Sequence, residues 1–391
     1  MIGWGVLEVV LTPKGARRAA SGHPWVFASD LRVPAGAEPG VASVFGPGGE
    51  RLGAGFFNPR SKLALRLVTR GDEPVTEALV AERLQAAARY RDRAAAGFEA
   101  FRVVHSEADG LPGLTVDKYG DVLVLQQHAA ALELFTDTII ETLTDLYAPT
   151  GILARNDNPV RQLEGFPQTV TVLAGTVPET VPFLEGDVTL TASPYTGQKT
   201  GAYLDQRENH VYAGSVAFGR ALDVFAYHGG FALQLAKRAD AVTAVDSSAP
   251  ALEQLEAGAK RNGVALTTIR GDAFAVLRAL AADVTRFDTV VLDPPAFAKG
   301  RAQVAAALTG YRELNVQALK LLGPGGRLLT ATCSHSVSEA AFLEMLAGAA
   351  ADAGRTVRVL AKRGAAACHP EVLGLPESRY LTFVASEVTD Y

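Results

Sequence analysis

The sequence predicts an α/β chain: a doubly wound parallel sheet in its C-terminal half, preceded by a small all-β module and a small α+β middle domain. Three observations predict it. After residue 215, near-continuous apolar strands alternate with amphipathic helices, the pattern of a parallel sheet covered on both faces. Residues 1–75 instead offer short strands closely punctuated by Gly and Pro, as in a small barrel or sandwich. The length of 391 residues exceeds one typical domain and points to about two or three.

Taken in order, the first module covers 1–75, with strands in LEVVLT, ASVFG, RLGAGFF and LALRLVT. A helix over 76–97, free of internal Gly or Pro and ended by Gly97, makes 76–100 a linker. The middle domain, 101–190, has two strand patterns within GLTVDKYGDVLVLQQH, a helix over 130–147, and further short strands in QTVTVLAG and DVTLTA. The last domain, 191–391, has strands ALDVFAY, AVTAVD, TTIRGD, FDTVVLD and GRLLTATCS separated by helical stretches such as PALEQLEAGAKRNG. Right-handed crossovers between such strands give a Rossmann-like architecture.

Composition sets the outer limits. A hydrophobic fraction of 48% with 20% charged residues excludes bulk disorder. No apolar run approaches the ~18 residues needed to cross a bilayer, so no membrane partner is expected. The opening MIGWGVLEVVLTPKGARR puts its basic residues after its apolar stretch, the reverse of a secretory signal, and a cytoplasmic location is expected. The two cysteines, Cys333 and Cys368, have no metal-ligand spacing, so neither a disulfide framework, a zinc site nor another metal is expected. Net charge is −5, yet residues 1–70 carry +5 and the remainder −10. A basic end module on an acidic body is where a polyanion could dock, although an ordinary solvated surface gives the same count.

In a doubly wound sheet, ligands lie at the carboxyl ends of the strands. The first strand ends in Asp223-Val-Phe-Ala-Tyr-His-Gly-Gly, and Gly229 and Gly230 let backbone approach a ligand closely. Phe225 and Tyr227 belong to the same turn. Asp246, with Ser247 beside it, ends the second strand, where a carboxylate can accept two hydrogen bonds from a ribose diol. Asp272, followed by Ala273, ends the third, placed for an adenine amino group. Asp293-Pro294-Pro295 follows the fourth. A nicotinamide dehydrogenase would also use a glycine turn and an acid here, but the G-x-G-x-x-G pyrophosphate cradle is missing. The looser turn together with Asp-Pro-Pro favours S-adenosylmethionine, which has no phosphate to cradle.

The succession HSEADGLPGLTVDKYGD, QKTGAYLDQREN, FAYHGGFAL, VDSS, DPPAFAK, TCSHSVS and HPEVLGLPESRYL resembles the bacterial 23S ribosomal RNA cytosine-5 methyltransferases of the PUA-plus-Rossmann type, across essentially the whole chain. The resemblance implies an N-terminal RNA-binding PUA domain, a class I methyltransferase domain and, as partner, 23S rRNA or a large-subunit precursor. It also implies that Lys199, Thr200, Tyr203, Asp205, Gln206 and Arg207 belong to the cofactor and substrate pocket. A homodimer is compatible with the sequence but not required by it.

Carbon 5 of cytosine is a poor nucleophile until a thiolate adds to carbon 6. Cys333, at the end of GRLLTATCS, is the candidate thiolate; a buried core cysteine is the alternative. Removal of the carbon-5 proton needs a base, and Asp293 is the nearest acid by topology, unless it holds the amino edge of the base instead. Better-known RNA cytosine-5 enzymes place a second cysteine after these prolines; this chain has Ala296, an absence shared by the family it resembles. Pro295 and Phe297 are candidate substrate contacts, Phe297 by stacking on an extruded base or by packing on the sheet edge. Arg207 is a candidate for RNA phosphate or the cofactor carboxylate. His335 could activate the thiol or simply wall the pocket, and Cys368 and His369 read as incidental and structural. Two competing functions stay open: an exocyclic-amine RNA methyltransferase, which needs no thiol, and a non-enzymatic ribosome-assembly factor.

Overall fold

The computed structural model describes residues 7–33, 35–283, 285–298 and 300–389; residues 1–6 and 390–391, at the outer ends of the domains expected over 1–75 and 191–391, lie outside the described residues. The chain divides into two compact units. One comprises the residues up to Pro182 together with Ala192–Tyr203 and Ala367–Ser378. The other comprises Phe183–Thr191, Leu204–Ala366 and the residues from Arg379 onward.

The first unit begins with a six-stranded sheet of β1 (Leu7–Leu11), β2 (Trp25–Val26), β3 (Leu31–Arg32), β4 (Gly40–Phe45), β5 (Arg51–Phe57) and β6 (Leu65–Arg70), in the order β2-β6-β5-β4-β1-β3. Short-strand reasoning missed β2, β3 and helix α1 (Pro13–Ala20). Thr12 caps it by accepting from the Gly15 N–H, and Pro13 sits in its first turn, a start signal that a strand-dominated reading passes over. Of the nine basic residues in this stretch, Arg66 is consumed internally: it is buried and ion-paired with Glu164. Lys14, Arg17, Arg32, Arg60, Lys62 and Arg70 remain exposed.

Helix α2 (Glu77–Ala94), capped by Thr76, buries Val80, Leu84, Ala87, Ala88 and Arg91. It packs with a five-stranded sheet in the order β11-β10-β9-β8-β7, built from β7 (Ala100–His105), β8 (Leu114–Tyr119), β9 (Val122–Gln127), β10 (Gly151–Asn156) and β11 (Thr169–Gly175). The helix expected over 130–147 is α3 (Thr136–Tyr147), preceded by 3₁₀ turns over Ala130–Phe135. A one-turn helix α4 (Val160–Leu163) follows β10. A two-stranded hairpin, β12 (Val181–Glu185) and β13 (Val188–Ala192), comes next.

The second unit is built on a seven-stranded sheet. Its strands are β14 (Arg220–Val224), β15 (Ala241–Asp246), β16 (Thr267–Arg270), β17 (Phe287–Leu292), β18 (Leu322–Thr332), β19 (Val357–Arg363) and β20 (Thr382–Val388), ordered β16-β15-β14-β17-β18-β20-β19. Strands β14 to β18 pair in parallel, as expected, and the order reverses beside β14. The last two strands, absent from the sequence reading, run antiparallel. Successive residues of β14 serve opposite faces: Leu222 and Val224 pack with α8 (Ala273–Ala282), α9 (Val304–Leu321) and α10 (Glu339–Asp352), whereas Ala221 packs with α5 (Arg207–Val216), α6 (Gly230–Leu235) and α7 (Ala249–Arg261). Two-sided burial is why these strands read as unbroken apolar runs. No helix among the described residues is long and apolar enough to cross a membrane.

Candidate active site

The carboxyl edge of this sheet gathers most of the acids picked out in the sequence. Between β14 and α6 the chain makes a tight turn in which Phe225 (φ +70°) and Tyr227 (φ +46°) are left-handed, as is Gly229 (φ +91°). Non-glycine residues held there cost about 1–2 kcal/mol each, and such strain clusters at ligand sites. Gly230 is required by space: a Cβ there would lie 2.4 Å from the His210 ring. That imidazole is buried, with Nδ1 2.8 Å from Glu185 Oε1. Burial opposes its charge, but the Glu185 carboxylate outweighs burial and raises its pKa.

Asp223 is fully buried at the end of β14. Neither carboxylate oxygen has a hydrogen-bond partner of ordinary geometry among the described residues; only the Ala232 N–H, in the first turn of α6, leans toward it. Burial, and then the nearby Asp293 charge, push its carboxyl up to about 7. An orphaned buried carboxylate invites a cationic donor, and the ammonium of an amino-acid-bearing cofactor supplies one. Asp246 is half-buried and accepts the Tyr227 N–H (2.9 Å) on one oxygen and the Ser248 N–H (2.8 Å) on the other. Those bonds fix the carboxylate while leaving further lone pairs for a diol. Ser247 beside it is exposed. Asp272 is exposed and caps α8 through the Ala275 N–H, with Ala273 buried behind it. These residues fit S-adenosylmethionine on donor chemistry.

The opposite side of the switch point is held differently. Arg363 Nε can only donate, and it donates to Asn209 Oδ1 (3.0 Å). The Asn209 amide nitrogen must then be the group facing Gln206 Oε1 (2.7 Å) and the Gly364 carbonyl (3.0 Å). Gln206 is therefore oriented with its nitrogen toward Asp293 Oδ1 (2.8 Å). One arginine thus sets the polarity of the whole chain of amides, and Asp293 meets it as an acceptor. Asp205 accepts from the Tyr380 hydroxyl (2.8 Å). Gln206, expected in the cofactor pocket, donates to Asp293.

Cys333 follows the last residue of β18 and is half-buried, without a disulfide. Its Sγ lies 3.9 Å from the Pro294 carbonyl oxygen. Pro294 is buried and Pro295 exposed. Phe297 is half-buried, its ring 4.7 Å from that of Tyr311 and 6.2 Å from that of Phe274. His335 is exposed, with its ring 5.3 Å from that of Tyr380.

Arg207 is fully buried and ion-paired with Glu208 (3.2 Å), surroundings that offer no surface to an RNA phosphate. Lys199, Thr200 and Tyr203 belong to the first unit, whereas Asp205, Gln206 and Arg207 belong to the second. Lys199 (φ +55°) and Tyr203 are exposed, the ammonium 4.8 Å from the ring centroid. Thr200 is fully buried and donates to Asp117 Oδ2 (2.5 Å) beside the Tyr119 hydroxyl (2.8 Å). Asp117 is also held by a two-pronged Arg102 fork, so Thr200 has the surroundings of a structural node. Cys368 is fully buried 3.3 Å from His369 Nδ1. Sequence reasoning missed His210, Glu185, Asn209, Arg363 and Tyr311, because each acts through a partner far away in the chain.

Residues 9–70 match the PUA-like domain family, and residues 113–363 match the S-adenosylmethionine-dependent methyltransferase family. Two relatives, from Photobacterium profundum and Vibrio cholerae, are each named ribosomal RNA large subunit methyltransferase I. The first is 36% identical over 371 residues, covering 92% of this chain and 94% of its own. The second is 35% identical over 378 residues, covering 94% and 95%. A solved structure from Streptococcus mutans, described as a SAM-dependent methyltransferase, superposes with a TM-score of 0.82 at 18% identity, over 98% of this chain and 100% of its own. Another, a methyltransferase complexed with S-adenosylhomocysteine, gives a TM-score of 0.83 at 18% identity over the same shares.

Proposed function

The chain belongs to the S-adenosylmethionine-dependent methyltransferases, and from that premise we propose that it methylates carbon 5 of a cytosine in large-subunit ribosomal RNA through a covalent cysteine adduct. The relatives named as large-subunit ribosomal RNA methyltransferases support the substrate class. The PUA-like module, with its exposed basic residues, supports RNA docking. The observation that carries the chemistry is Cys333: a half-buried thiol at the carboxyl end of β18, against the carbonyl of the Asp293-Pro294-Pro295 loop.

When bound, S-adenosylmethionine supplies an electrophilic methyl carbon and leaves as S-adenosylhomocysteine. Asp223 holds the ammonium, Asp246 the ribose diol and Asp272 the adenine edge. The Cys333 thiolate adds to carbon 6 of the cytosine, forming an Sγ–C6 bond, and the C5=C6 π pair becomes available at carbon 5 to take up the methyl carbon. Asp293, kept an acceptor by Gln206, then takes the carbon-5 proton. The electrons of that C–H bond restore C5=C6 and expel Cys333 as thiolate.

Cys333→Ala tests this. Turnover should fall on the order of 10⁴-fold, with S-adenosylmethionine binding by calorimetry intact and no covalent RNA adduct on denaturing gels. Mass-spectrometric mapping should show 5-methylcytosine at one site of the large-subunit RNA that disappears with the gene. An active alanine variant producing a methylated exocyclic amine would sink the covalent route and leave the direct-transfer alternative.

A further inference from the structure

We propose that Tyr311 is a positioning residue for the Cys333 thiol, an inference that rests on the covalent reading above. Tyr311, in the middle of α9, is fully buried between Phe297 and Phe342, with ring centroids at 4.7 and 5.7 Å. Apolar packing alone would be served by phenylalanine, and a buried hydroxyl destabilises unless it is bonded. This one is bonded on both sides of the cysteine. Thr332 Oγ1 donates to it at 2.9 Å, and Ser334 Oγ lies 2.9 Å away. Thr332 and Ser334 are themselves buried, and the Ser334 N–H is 3.3 Å from Thr332 Oγ1.

The same phenol reaches the loop beyond the prolines. Ser334 Oγ accepts the Ala298 N–H at 3.2 Å, and a backbone hydrogen bond links Tyr311 with Phe297. A single hydroxyl thus ties together α9, the Thr332-Cys333-Ser334 end of β18, and the 297–298 end of the loop that starts at Asp293. The thiol is the middle residue of that triplet. Its separation from the Pro294 carbonyl, and from a base lying against that loop, is set by the phenol through its two neighbours. Reaction rates are steep in such separations: a misplacement of about 1 Å costs roughly 100-fold.

Tyr311→Phe removes the hydroxyl and keeps the ring. The expected result is a 10- to 100-fold fall in kcat, with the KM for RNA and the Kd for S-adenosylmethionine each within about threefold of wild type. Adduct formation with RNA containing 5-fluorocytidine, whose C–F bond blocks the release step, should slow by the same factor. Thr332→Val should reproduce the kcat loss, and the double variant should be little worse than either single, because both break one network. A merely structural hydroxyl would lower Tm and leave kcat in place. Should Tyr311→Phe fail to fold, Thr332→Val and Ser334→Ala carry the same readout. If kcat stays within twofold of wild type in the folded variants while Cys333→Ala is dead, the positioning role is overturned and the covalent reading stands. If Cys333→Ala is active, both fall together.

Discussion

The two sides of the switch point in the seven-stranded sheet are finished to different degrees. Around β14 and β15 the structure is left open in valence: Asp223 is buried with orphaned oxygens, and Phe225 and Tyr227 are held left-handed. Around β17 and β18 the candidate catalytic groups are held by partners: Arg363, Asn209 and Gln206 aim at Asp293, and Tyr311 knots the residues flanking Cys333. The unfinished side is the one a diffusible ligand must complete, so part of its binding energy goes into relieving an existing deficit. On the proposed mechanism the other side carries groups that must be in place before the substrate arrives, where reorganisation would be lost rate.

If that contrast is real, changes on the finished side should strike turnover and changes on the unfinished side should strike affinity. The largest effect after loss of the thiol is expected from Asp293→Asn, which keeps the shape and removes the base: kcat should fall about 10²- to 10⁴-fold, with adduct accumulating in single-turnover experiments as release stalls. Asp223→Asn should weaken S-adenosylmethionine about 10- to 100-fold by calorimetry, the worth of a charge-assisted hydrogen bond, while saturated turnover changes little. Gln206→Leu should lower kcat about tenfold, since Asp293 loses the donor that fixes its orientation; an unchanged kcat would show that the amide chain does not orient Asp293.

The smallest effects follow pH. Asp223 titrates at about 7 in the folded chain and near 4 when unfolded. Its contribution to stability is therefore fully present below about pH 4 and lost as pH rises through about 7. The Tm of Asp223→Asn should accordingly gain on wild type between pH 5 and 8. Because the cofactor's ammonium needs the carboxylate, its apparent Kd should be about tenfold larger at pH 6 than at pH 8 in the wild type, and flat across that range in the variant.

The parallel core of the second unit was readable because two-sided burial writes unbroken apolar runs into β14, β15 and β17, with an acid at each carboxyl end. The thiol was readable because Cys333 ends such a run. What escaped reading depends on pairings far apart in the chain. Asn209 and Arg363 are separated by 154 positions, and Tyr311 within α9 looks like any other apolar-face aromatic until Thr332 and Ser334 are folded against it. Helix α1 was missed because Thr12 and Pro13 also read as the punctuation of an all-β module. The KTGAYLDQR segment was expected as a whole in the cofactor and substrate pocket; Thr200 is buried against Asp117 and Gln206 faces Asp293, and a shared motif does not reveal which side chains point inward.

The strand that carries the thiol end is closed on one side by β20, which lies along it in register from Arg327 opposite Glu387 to Thr332 opposite Thr382. Until residues 382–388 have been synthesised, β18 keeps an open row of backbone donors and acceptors on that flank, the kind of edge that recruits foreign strands. Polymerisation by the ribosome is vectorial, so Cys333 cannot occupy its finished setting before β20 has emerged, and loss of β20 should cost more in solubility and activity than the number of residues removed suggests.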